Sequence, residues 1–324
     1  MNVLLTGGYG CIGCWIAKHL LERGDQVFLY DLKQDLRRMH LVLEPEQAAK
    51  VTFVPGDVTD LPQLQAALTD NAITHVIHLA GLQVPVCRAD PLLGAKVNVL
   101  GTLAVFEAVR SMQEKIQGLV YASSAAVFGP PSEYGDSSLS DDVKLTPSTH
   151  YGVFKCCNEG NARVYFQDFG LSSVGLRPWT VYGVGRDFGM TSEPTKAIKA
   201  LALDRKYAIS YGGFQDFQLV SDVATTFIAC VEKPYQGARS FNLRGHIVDL
   251  QTFHETLCRV VPKAKEFISY GDKQISIAYD LDDRELQTFF GPLPQTSLEE
   301  GIRQSYERFV QLKEAGRLDA YDLD

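Results

Sequence analysis

Short apolar runs alternate with stretches in which apolar residues recur every three or four positions, and this rhythm organises the amino-terminal half of the chain. Asn2 to Thr6, with Val3, Leu4 and Leu5 unbroken, reads as a buried strand. Ile12, Ile16 and Leu20 then recur at i+4 along a helix that Gly24 stops. Val27 to Tyr30 is the second strand and Val51 to Val54 the third, with loop or exposed helix over Leu32 to Lys50 between them. Leu61 to Leu68 is amphipathic, and His75 to Ala80 is a fourth strand. A helix over about Val97 to Ser111 leads to a fifth strand, Gly118 to Ser123, and Tyr151 to Phe166 is again helical. Strands and helices in this alternation imply an α/β, Rossmann-like fold. Its sheet is parallel and doubly wound, with the ligand at the carboxyl ends of the strands.

From about Ser172 the pattern changes. Val174 to Leu176 is one more strand, ending at Arg177-Pro178. Thr191-Ser192-Glu193-Pro194 reads as a hydroxyl cap with proline in the first turn of a helix. Ser221 and Asp222 read as the cap of another helix, which Pro234 stops. Strand-like Asn242-Leu243 and Ile275 to Ala278 follow, then a last helix opened by a capping box from Ser297 to Glu300. The expected organisation is a dinucleotide-binding domain over residues 1–178 with a return segment at about 214–240. Residues 179–213 and 241–324 form a smaller carboxyl-terminal substrate domain closing over the sheet edge.

At 324 residues, with 45% hydrophobic and 22% charged positions, the chain has the composition of an ordinary globular protein. The formal net charge of −8 argues against nucleic acid or an anionic membrane as main partner. Met1 stands directly before the first strand and no apolar run approaches spanning length, so the expectation is a cytoplasmic protein without signal peptide. Cys11 and Cys14 form a C-x-x-C, but no second pair has metal spacing. They read as small packing residues, as do Cys156 and Cys157, and no metal is expected.

The candidate chemistry starts between the first strand and helix. Gly7, Gly10 and Gly13, with Cys11 and Ile12 between them, form a turn whose backbone can come close to a pyrophosphate at the helix start. Asp31 ends the second strand, where a carboxylate suits the two ribose hydroxyls of an adenosine. Asp57 and Val58 follow the third strand, at the place of the adenine edge. The cofactor expected is therefore NAD rather than NADP. Lys33, Arg37 and Arg38 are cations close enough to test that preference. Tyr151 and Lys155, four apart on one helix face, pair a phenol with an ammonium that favours the phenolate. Ser124, at the end of the fifth strand, can hold the reacting oxygen while Tyr151 moves the proton.

These motifs together resemble the extended short-chain dehydrogenases/reductases of the NAD-dependent epimerase/dehydratase family, over nearly the whole chain. The likeness extends to His78-Leu79-Ala80-Gly81, Asn98-Val99-Leu100-Gly101-Thr102, Ser123 to Gly129 and Arg177 to Gly183. It implies hydride transfer with Ser124, Tyr151 and Lys155 as catalytic residues. It also implies cofactor contacts at Leu79, Ala80, Gly81, Asn98 and Lys155, and substrate contacts at Gln83, Ser124, Ala125 and Thr180. Relatives of this kind often pair through two long helices, here Val97 to Ser111 and Tyr151 to Phe166, so a homodimer is expected.

The sequence departs from the pattern of the family's nucleotide-sugar enzymes. Thr180 stands in place of an asparagine, and Gln215 in place of an arginine before Asp216-Phe217. Ala125 and Ala126 replace the acidic pair of dehydratases. The expected function is therefore NAD-dependent hydride transfer at a secondary alcohol of a carbohydrate-like substrate. The alternatives are a nucleotide-sugar 4-epimerase and a cofactor-sensing protein without turnover. Arg186, with Thr191 and Ser192 at a helix start, suggests an anchor for a small anionic substrate, most simply a sugar acid. Arg186 could instead pair with Asp187 and brace its loop.

Overall fold

Residue-by-residue alternation along each strand divides the apolar positions between two faces: Val3 and Leu5 pack into one layer of core and Leu4 into the other. The computed structural model, which describes residues 1–324 apart from Asp136 and Asp324, builds a Rossmann-like sheet on that division. Its strands are β1 (Asn2–Thr6), β2 (Gln26–Asp31), β3 (Thr52–Pro55), β4 (His75–His78), β5 (Gly118–Ala122) and β6 (Ser173–Arg177). A later strand, β10 (Ala238–Asn242), joins the same sheet after three that do not, β7 (Thr180–Tyr182), β8 (Tyr207–Ile209) and β9 (Phe214–Leu219). The seven strands run parallel in the order β10-β6-β5-β4-β1-β2-β3. The order reverses between β1 and β4, where a crevice opens at the carboxyl ends.

The helices Cys11–Glu22 and Val220–Glu232 pack against each other on one face. Leu61–Asp70, Gly101–Arg110 and His150–Phe169 cover the other. A three-stranded sheet joins β7, β9 and β11 (His246–Asp249), and β12 (Ile268–Tyr270) pairs with β8. Thus β9 belongs to the small sheet, and the chain re-enters the large one through the helix Val220–Glu232 and β10.

Several local expectations are corrected. Leu32 to Lys50 holds two helices, Leu36–Val42 and Pro45–Ala48, and Met39, Val42 and Leu43 are buried rather than exposed. The helix expected over Val97 to Ser111 begins at Pro91 and contains a π-turn at Lys96–Leu100. The helix Pro91–Arg110 is 20 residues long and apolar, so a run of spanning length does exist; half of its apolar window is buried inside the protein. Ile275 to Ala278 is not a strand. It is an irregular segment pinned where the Trp179 indole N–H donates to the Ala278 carbonyl at 2.7 Å.

Three caps also differ. The Ser192 hydroxyl donates backwards to the Gly189 carbonyl (2.8 Å) and caps nothing. Asp222 accepts from the Thr296 amide and hydroxyl, and Ser221 meets His19, so neither caps the helix they open. Ser297 accepts from the Glu300 amide, but the Glu300 carboxylate turns to Gln304, which leaves half a capping box.

Candidate active site

The strand ends and the loops above them enclose a cavity of about 610 Å3. Its floor is the glycine turn. A Cβ on Gly13 would lie 2.5 Å from the Gly8 carbonyl oxygen, so only glycine lets the helix start press against the turn that precedes it. Gly7, Gly10, Cys11, Ile12 and Gly13 all line the cavity. The first backbone N–H groups of a helix lack carbonyl partners within it, which suits this floor to a pyrophosphate. Asp31, Asp57, Val58, Leu79, Ala80 and Gly81 line the same cavity, in the order a dinucleotide would meet them. These residues fit NAD.

Burial pushes the Asp31 carboxyl above its ordinary value, while hydrogen bonds from backbone amides oppose the shift. Two of the three cations nearby are committed elsewhere. Arg37 pairs with Asp35 at 2.6 Å, and Arg38 pairs with Asp187 at 2.8 Å. Neither is free to meet a 2′-phosphate, which leaves Lys33 as the cation on the cavity wall beside the acid at the end of β2.

On the opposite side, Ser124 opens a single 3-10 turn, and its Oγ accepts from the Ala126 amide at 3.1 Å. Ser123 is occupied: its hydroxyl donates to Glu159 (2.5 Å), which in turn grips buried Arg177. This singles out Ser124 of the two serines. Thr149 caps the helix His150–Phe169 through the Gly152 amide, and that helix presents Tyr151 and Lys155 to the cavity one turn apart. Lys155 donates to the Ala122 carbonyl at 2.6 Å, and its nitrogen is 5.5 Å from the Tyr151 ring centre.

The electrostatics differ from the expectation in one respect. Burial raises the Tyr151 phenol above its ordinary value, opposed first by the Ser124 hydroxyl and then by the Arg186 guanidinium. Arg186 is thus a second cation that favours phenolate, beside the Lys155 ammonium over the ring. Burial brings the Lys155 ammonium itself down to about 8.

Three expected contacts do not reach the cavity. Asn98 is buried inside the π-turn, where its amide accepts from the Leu82 N–H (2.8 Å) and donates to the Leu82 carbonyl (3.0 Å). It braces the turn after β4, next to Gly81 of the cavity lining. Thr180 is fully buried and donates to Gln215 at 2.6 Å. Ser192 is buried against Gly189. Gln83, Ala125, Arg186 and Thr191 do line the cavity.

The lining also includes Trp179, Phe188, Met190, Ile277 and Lys96, to which sequence reasoning gave no site role. Trp179 directly follows Arg177-Pro178, so its place after β6 was a usable signal. Ile277 arrives from a segment a hundred residues further on, and nothing local marks it.

Residues 3–243 match the NAD dependent epimerase/dehydratase family. The chain is 30% identical over 321 residues to the UDP-glucose 4-epimerase of Mycolicibacterium smegmatis, covering 95% of this chain and 98% of that protein. It is 32% identical over 216 residues to the D-erythronate dehydrogenase of Cupriavidus necator, covering 62% and 64% of the two chains. The UDP-glucose 4-epimerase of Thermus thermophilus, solved in complex with NAD, superposes with a TM-score of 0.80 at 25% identity, covering 95% of this chain and 99% of that one.

Proposed function

The chain belongs to the NAD-dependent epimerase/dehydratase family, and we propose that within it the protein oxidises and reduces a secondary alcohol of a small carbohydrate-like substrate. NAD supplies the hydride acceptor. The chain's own residues do the rest: Ser124 holds the reacting oxygen, Tyr151 takes its proton, and Lys155 fixes the cofactor side of the pocket. The observation that carries this reading is the meeting of Ser124, Tyr151 and the glycine turn on one cavity. The intact trio speaks against a cofactor sensor without turnover.

The test is a screen of sugars, polyols and sugar acids with the purified protein, read by the absorbance of reduced cofactor. Net reduction of NAD by at least one of them is expected, and with that substrate kcat/KM for NAD should exceed that for NADP by roughly a hundredfold. Two like charges about 4 Å apart at a partly screened site repel by about 4 kcal/mol, which leaves room for relaxation and salt. A preference for NADP would overturn the role given to Asp31.

A nucleotide-sugar 4-epimerase is the second reading, favoured by the relatives that carry that activity. Thr180 bonded to Gln215 presents no amide or cation to a diphosphate, which weighs against it. Interconversion of UDP-sugars without accumulation of reduced cofactor would establish it instead.

The active form is a homodimer in this proposal. Leu92 (84% exposed), Leu100 (56%), Val153 (48%) and Val164 (45%) lie on the two helices expected to pair. Four apolar side chains on adjacent helices suit a four-helix contact across a two-fold axis. Light scattering at micromolar concentration should give the mass of two chains, and Leu100→Glu should give one. A wild-type monomer would dispose of the dimer.

A further inference from the structure

The neighbouring residues Arg186 and Asp187 do not pair with each other. The Asp187 carboxylate accepts from Arg38 at 2.8 Å on one oxygen and from the Tyr321 hydroxyl on the other. It is thereby satisfied by the carboxyl-terminal tail and by the helix after β2. Arg186 is left facing the cavity with one partner: it donates to the Thr191 hydroxyl at 3.2 Å, and its Nε is buried with no acceptor. Among the described residues no carboxylate lies within ion-pair distance of it. A guanidinium carries five N–H donors, so most of its hydrogen-bonding capacity points at unfilled demand.

The surroundings hold it there. Gly189 has a φ of +105°, and a Cβ on it would collide with the Gln83 amide oxygen and stand 3.2 Å from the Arg186 guanidinium. Glycine at 189 therefore lets Gln83 and Arg186 come together beside the same wall. Ser124 and Tyr151 line that cavity too, and Arg186 is near enough to act on the Tyr151 phenol. Lys155 is bonded to the Ala122 carbonyl and Arg38 to Asp187, so Arg186 is the fixed, unpaired guanidinium at the reacting end.

We infer that the substrate is a small hydroxy acid of the aldonic type, its carboxylate held by Arg186 with Thr191 and Gln83 while Ser124 and Tyr151 engage a secondary hydroxyl. A guanidinium with paired N–H donors matches a carboxylate in a bidentate, charge-assisted contact. In the reaction the alcohol carbon gives its hydride to NAD, the hydroxyl proton passes to Tyr151, a ketone forms, and the carboxylate is unchanged. This inference rests on the proposed hydride transfer at a secondary alcohol. The helix start at Thr191-Ser192 takes no part beyond the Thr191 hydroxyl, since Ser192 is turned inward.

The test compares aldonic acids with alditols of equal chain length, in the wild type and in Arg186→Ala and Arg186→Lys, with NAD affinity followed alongside. The wild type should prefer the acids. In Arg186→Ala the ratio of kcat/KM for acid to that for polyol should fall about 30- to 150-fold, the equivalent of about 2–3 kcal/mol for a hydrogen bond to a charged group. The loss should fall mainly on KM, Arg186→Lys should recover part of it, and the Kd for NAD should hold. Equal losses on both substrate classes overturn the inference, as does weakened NAD binding, which would place Arg186 on the cofactor pyrophosphate. A wild type that turns over only polyols also overturns it, whatever the variants do. A wild type that reduces NAD with sugars but with neither of these classes overturns the inference and leaves the hydride-transfer reading standing, whereas no reduction with any of the three rejects that reading.

Discussion

Tyr151→Phe should lose turnover by about a hundred- to ten-thousandfold, the usual worth of general acid–base catalysis, while binding NAD nearly as the wild type does. The phenol is the titratable group placed to exchange a proton with the substrate oxygen, and the variant removes only that hydroxyl. The glycine turn and Asp31, which line the same cavity, would supply most of the cofactor contacts. The pH profile follows from the phenol's surroundings. Burial holds Tyr151 above its ordinary value, so within the chain's own field the phenolate is scarce at neutral pH. Cationic Arg186 and an oxidised nicotinamide act the other way. The wild-type oxidation rate should therefore rise with pH through the neutral range, and Tyr151→Phe should flatten that slope as well as lower it. A variant that retains more than a tenth of the wild-type rate would show that another group moves the proton.

Legibility in the sequence followed the range of the interaction. The parallel sheet and glycine turn were readable because their causes are local: apolar runs, spacing and the acid at the end of β2. Ser124, Tyr151 and Lys155 were readable for the same reason. What escaped was built by contacts over long separations. Nothing near Asp187 says that its partners are Arg38 and Tyr321, 149 and 134 positions away, and that pairing is what leaves Arg186 free. Asn98 shows the same limit at closer range. Its position in a recognisable motif suggested a cofactor contact, yet a π-turn directs its amide at the backbone of Leu82. Thr180 behaves likewise: a strand residue aimed at the site by register, but sealed off by Gln215 from β9. Sequence spacing identified the face of an element and could not say which neighbour covers it.

Lys155→Met separates the stability cost of the site from its function. The Lys155 ammonium is buried, and its pKa is brought down to about 8 from an ordinary value of 10.5. Below about pH 8 the lysine is protonated in both the folded and unfolded chains, and the folded chain bears the full cost of an enclosed charge. Between about 8 and 10.5 the unfolded chain binds more protons than the folded one, so this contribution to stability rises with pH. A shift of that size corresponds to about 3 kcal/mol. Methionine has a similar length and no charge, and it gives up the charge-assisted bond to the Ala122 carbonyl, worth about 1.5–3 kcal/mol. The variant should therefore be more stable than the wild type at pH 7 by up to about 1.5 kcal/mol in denaturant unfolding, with the gap closing towards pH 10. Its NAD affinity should fall more than that of Tyr151→Phe, because the ammonium lines the cavity next to the cofactor side. A Lys155→Met protein less stable than wild type at pH 7 would mean that the bond to Ala122 outweighs the cost of burial.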